Sequence, residues 1–96
     1  MKKIIHANSF FKRFKGLMLK KDFDSIMIFE KLTSSSIHTF FMRFDIDVYF
    51  LDENKMVFEK TTLKPWKYYK PKKEARYIAE TKKGLLDLKI GDVFKN

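Results

Sequence analysis

Ser36, His38 and Asp47 are the residues in this chain whose types most invite a reaction. A hydroxyl, an imidazole and a carboxylate could serve as nucleophile, base and orienting acid. On that reading the chain is a hydrolase-like enzyme with His38 as acid or base. Any sequence of 96 residues supplies such a set readily, and a histidine hydrogen-bonded within the fold is the plainer role. Other chemistries are closed off. Zinc needs three or four convergent ligands, and the chain has no cysteine and only two histidines, His6 and His38. Asp45, Asp47 and Asp52 could offer oxygen ligands to a harder cation. Two of them fall on one strand face and the third in the following turn, which suits surface charge and turn capping. Gly16, Gly84 and Gly91 are isolated, so there is no Gly-rich phosphate cradle or dinucleotide fingerprint. No cofactor and no metal are expected.

Binding is better provided for. In the run Leu63-Lys64-Pro65-Trp66-Lys67-Tyr68-Tyr69-Lys70-Pro71-Lys72-Lys73, five lysines are interleaved with three aromatic rings. Lysines pair with phosphates and displace counterions, and aromatic faces stack on bases. Lys64, Lys67, Tyr68, Lys70, Lys72 and Lys73 are therefore the candidate nucleic-acid contacts. The competing description is a solvated loop whose rings pack back onto the fold. Arg13 and Arg43 are two of only three arginines among 21 basic residues. A planar fork in a lysine-dominated chain points to an anion site or an ion pair, with Asp47 or Glu80 as structural partners.

Composition bounds these readings. The net charge of +9 and pI near 9.8 favour anionic partners such as nucleic acid, anionic lipid or a phosphorylated small molecule. A hydrophobic content of 45%, with eleven Phe, is ample for one core in a single domain over residues 1–96. Glutamine is absent and lysine abundant, the direction seen in hyperthermophile proteins. Ile4-Ile5 is too short for a secretory core, and no window approaches the roughly 18 apolar residues of a membrane span. The chain is expected to be cytoplasmic.

The elements that must position these residues are mostly strands. Phe10, Phe14, Leu17 and Met18 recur at helical spacing behind Asn8 and Ser9, predicting a helix over 10–19. Ile26 to Phe29 reads as a buried strand, and Ile37 to Met42 favours β structure. Beyond them Ile46, Val48 and Phe50 share one strand face, while Asp47, Tyr49 and Leu51 share the other. Asp52 to Lys55 forms a turn, with Met56, Phe58 and Lys60 alternating after it, a hairpin signal. Residues 64–73 form an exposed excursion, and a strand resumes over 75–80. A helical turn is expected over Lys82 to Asp87, and a last strand over 90–94. The fold class is α+β, mainly β. It is a small curled antiparallel or mixed sheet, or a barrel, with one N-terminal helix and a short C-terminal helical turn. Curling or closing would bury both sheet faces and limit free edges.

Three ordered segments resemble the domain-of-unknown-function 192 family, DUF192. The first is Ala7-Asn8-Ser9 followed by Arg13-Phe14-Lys15-Gly16-Leu17-Met18. The second is Met27-Ile28-Phe29, then His38-Thr39-Phe40-Phe41-Met42, then Ile46-Asp47-Val48-Tyr49-Phe50-Leu51-Asp52. The third is Lys64-Pro65-Trp66 with Glu80, Gly84 and Gly91-Asp92. The likeness covers nearly the whole chain. It implies a compact β-rich domain with little helix, and it supplies no activity, cofactor or catalytic residue. Motif position and physical oddity coincide at Arg13, His38, Arg43, Asp47 and Trp66, the candidate ligand-binding set. The reading that results is a non-enzymatic domain binding an anionic ligand or macromolecule through a basic-aromatic surface. A nucleic-acid module using residues 64–73 and a hydrolase using His38 are the alternatives.

Overall fold

The computed structural model describes residues 3–6, 25–30, 36–39 and 44–95, and every regular element among them is a strand. These are β1 (Lys3–His6), β2 (Ser25–Glu30), β3 (Ile37–His38), β4 (Ile46–Leu51), β5 (Val57–Leu63), β6 (Tyr68–Tyr69) and β7 (Tyr77–Lys82). Five make one sheet in the order β1-β2-β7-β4-β5, and β3 and β6 make a separate two-stranded ribbon. β1 runs parallel to β2, and all other pairings are antiparallel.

β4 explains the architecture. Its sequence Ile-Asp-Val-Tyr-Phe-Leu is rich in β-branched and aromatic side chains, and it lies between β5 and β7. The pleat sends Ile46, Val48 and Phe50 into one cluster with Ile37, Leu63, Ala75 and Ile78, joined by Phe44, Phe58 and Tyr69. Tyr49 and Leu51 enter a second cluster, with Ile26, Ile28, Val57, Ala79 and Phe94 and the half-buried Leu85, Leu86 and Leu88. The sheet is thus a middle layer. The β3–β6 ribbon covers one face and the C-terminal segment covers the other.

This corrects the barrel alternative. The sheet is open, with β1 and β5 at its edges. Both faces are buried because extra chain is laid over each, so closure is not needed to keep them dry. The C-terminal helical turn is also absent. β7 continues to Lys82, and Leu85 N donates to Lys82 O at 3.0 Å to close one turn. Gly84 stands there at φ +84°, which a right-handed helix cannot accommodate. The strand expected over 90–94 reduces to one bridge between Met56 and Val93. The helix expected over 10–19 lies outside the described residues.

The β4–β5 hairpin forms as the sequence requires. Asp52 accepts from Asn54 N at 2.8 Å and Met56 N at 3.0 Å through Oδ1, and its carbonyl accepts from Lys55 N. Lys55 takes the left-handed conformation at φ +61° that ends such a loop. Asp52 is therefore a turn residue. A bulge at Phe58 shifts the register, so Phe50 faces Glu59 and Leu51 faces Val57.

Candidate functional site

The ribbon is a two-faced object. Ile37 and Tyr69 lie opposite each other and point to the core, where Tyr69 stacks on Phe50 with centroids 5.8 Å apart. His38 and Tyr68 form the next pair, where His38 is half-buried with its Nδ1 shielded from solvent. Tyr68 is 62% exposed, and its hydroxyl donates to Ser36 Oγ at 2.8 Å. Ser36 lies two residues before His38, Tyr68's partner, so this bond reaches diagonally across the ribbon.

The turn Lys64-Pro65-Trp66-Lys67 hangs from Thr39, which is fully buried. Thr39 Oγ1 donates to Lys64 O at 2.6 Å and accepts from Lys67 N at 2.8 Å. Its backbone N donates to Lys67 O, and its carbonyl accepts from Trp66 N at 2.9 Å. The side chain and backbone of one residue thus tie down the turn. Pro65 occupies the second position, and Trp66 in the third has φ +64°, the arrangement of a type II turn. Glycine or asparagine normally fills that place, because a side chain in the left-handed region is strained. Trp66 fills it here with 58% of its surface exposed.

The lysines divide. Lys64, Lys67 and Lys70 are exposed and flank the two rings in sequence. Lys72 and Lys73 are drawn toward β5. Glu59 accepts from the Tyr69 hydroxyl and, at 2.9 Å, from Lys72 N, and Lys73 Nζ sits 4.6 Å from the Phe58 ring centroid. The hydrogen bond to Glu59 raises the Tyr69 phenol above its ordinary value of 10.0, with burial and the carboxylate charge adding to it.

Asp47 belongs to the other side of the sheet. It lines an open hollow of about 540 Å³ with Tyr49, Lys60, Thr62, Leu86 and Asp87. Asp47 accepts from Thr62 Oγ1 and, at 3.0 Å, from Gly84 N. Tyr49 Oη donates to Leu86 O at 2.7 Å, and Lys60 Nζ donates to Leu88 O at 2.9 Å. Three side chains standing on the sheet thereby hold alternate residues of the 84–88 strap. Burial, opposed by a backbone hydrogen bond and reinforced by Asp47 and Asp87, raises the Tyr49 phenol above 10.0.

The candidate set therefore does not converge as a whole. His38 and Trp66 share the ribbon side and Asp47 the opposite one, so Ser36, His38 and Asp47 do not assemble. Arg13 and Arg43 lie outside the described residues. The described arginine, Arg76, donates from Nε to Glu30 at 2.6 Å, an exposed pair joining β2 to the start of β7. Among the described residues no three His, Cys, Asp or Glu side chains cluster as metal ligands, and no helix is long and apolar enough to cross a membrane. Sequence reasoning missed Thr39 and Glu59, which fasten the basic-aromatic segment together with Ser36. Pro65 was the available signal for the turn, since proline at a second position sets up a left-handed third.

Comparison with known proteins places the chain. The DUF192 family model, described as uncharacterized ACR, COG1430, matches residues 2–95. The UPF0127 protein PF1050 of Pyrococcus furiosus is 43% identical over 93 residues, covering 90% of this chain and 79% of that protein. The UPF0127 protein PH1112 of Pyrococcus horikoshii is 50% identical over 82 residues, covering 82% and 71%. The UPF0127 protein TK1120 of Thermococcus kodakarensis is 43% identical over 98 residues, covering 95% of this chain and 62% of that protein. No solved structure matches the chain. With the family model matching residues 2–95 and these relatives 43–50% identical, the chain belongs to the DUF192 family.

Proposed function

We propose that this chain is a non-enzymatic binding domain that takes an anionic ligand on the outer face of the β3–β6 ribbon. One observation carries the reading: Trp66 occupies a left-handed turn position and leaves more than half its surface in water. A tryptophan kept for packing would be buried. A turn kept for shape would hold glycine at no strain. The combination fits an indole that is displayed. Lys64, Lys67 and Lys70 give the surroundings a positive charge, and the chain's +9 supplies long-range attraction. The hydrolase alternative is not favoured, because His38 and Asp47 stand on opposite faces of the sheet.

Trp66 is the only tryptophan, so its fluorescence reports on this surface directly. Adding inorganic polyphosphate, a nucleoside triphosphate or an oligonucleotide at low salt is expected to change the emission with at least one of them. The response should weaken in a triple variant, Lys64→Ala with Lys67→Ala and Lys70→Ala. Emission unmoved by every anion in the panel contradicts the reading.

A further inference from the structure

We infer that the ligand of the ribbon is a single-stranded nucleic acid, with bases stacked on Trp66 and Tyr68 and the backbone phosphates met by Lys64, Lys67 and Lys70. This rests on the proposed anion-binding role of the surface and names its ligand. The surface is open, and the hollow lined by Asp47 and Tyr49 lies on the far side of the sheet. A small anion on an open face would rely on exposed ion pairs, each worth little against water and salt. A polyanion meets several lysines at once and gains from releasing its counterions. The two rings then decide which polyanion fits. The Tyr68 hydroxyl is fastened to Ser36, and the residue remains 62% exposed. Trp66, two residues earlier, is 58% exposed at the third position of its turn. Two exposed rings with lysines beside them in the chain suit unstacked bases. A duplex hides its base faces, and a ribbon with two residues per strand is too short to read a groove. A membrane surface would need apolar side chains aimed outward to insert, whereas the phenol here carries a hydroxyl bonded to Ser36.

The test uses the intact chain with a labelled single-stranded oligonucleotide, the matching duplex, inorganic polyphosphate and vesicles containing anionic lipid. Single strands should bind tightest and quench Trp66. Three phosphate contacts predict that log K falls against log salt with a slope of about −2. Trp66→Gly and Tyr68→Ala should each weaken single-strand binding by roughly 5- to 150-fold while barely changing polyphosphate binding. Trp66→Phe should retain much of the affinity, since a ring remains. Circular dichroism of each variant establishes that it is folded. Equal affinity for polyphosphate and single strands, with no loss in the ring variants, overturns the inference while leaving the anion-binding role standing. Preference for duplex or for vesicles overturns it likewise. No binding to any of the four removes both.

Discussion

Thr39 shows how much one buried side chain can decide. Its hydroxyl both donates to and accepts from the turn that carries Trp66, while its peptide group adds two more bonds. Thr39→Val keeps the shape and removes the hydroxyl, leaving Lys67 N and Lys64 O without that partner. The expected cost is about 1–3 kcal/mol, because part-buried polar groups left unpaired lose their full solvation. Urea denaturation measures it. Stability unchanged within error would show that the turn is held by something other than this hydroxyl. Trp66 differs in kind: its strain is local and its ring is largely outside.

At the scale of elements, two tyrosines fasten separate layers to the sheet. Tyr69 joins the ribbon to Glu59 on β5, and Tyr49 joins β4 to the C-terminal strap. Both phenols are raised above 10.0, Tyr69 chiefly by its hydrogen bond and Tyr49 chiefly by burial. In the unfolded chain they lose their protons first as pH climbs. Their contribution is therefore complete below about pH 10 and disappears as pH rises through the folded values. Stability should be flat from neutrality to mildly alkaline pH and fall beyond, with a shallower fall in Tyr69→Phe. Identical alkaline profiles for the variant and the parent chain would contradict this role. The elements were unevenly legible in the sequence. β4 was readable because its alternation is strict and each face meets a packed layer. The hairpin was readable because Asp52-Glu53-Asn54-Lys55 carries turn chemistry. The ribbon was not, since two residues per strand leave no period to detect, and its two strands are far apart in the chain. Residues 82–87 were misread because Leu85 and Leu86 favour a helix, whereas Gly84 and the anchors on Asp47, Tyr49 and Lys60 draw the strap across the sheet. Of the candidate site, Trp66, Tyr68 and the lysines could be nominated from composition. Thr39 and Glu59 could not, because their roles exist only across long sequence separations.

At the scale of the whole molecule, the chain is a DUF192 protein whose described residues form three layers, with the middle sheet covered on both faces. Its high lysine content and lack of glutamine agree with relatives from the thermophilic archaea Pyrococcus and Thermococcus. Among the described residues the exposed large aromatic side chains, Trp66 and Tyr68, both lie in the basic-aromatic segment. The account turns on Trp66 being carried for a ligand rather than for the fold. The most direct measurement is the unfolding free energy of Trp66→Gly relative to the parent chain. Relief of the left-handed strain should largely offset the packing that the indole provides, keeping the change within about 1 kcal/mol. A loss of about 3–5 kcal/mol, the range for truncating a core aromatic, would show that the indole is a structural member and contradict the account.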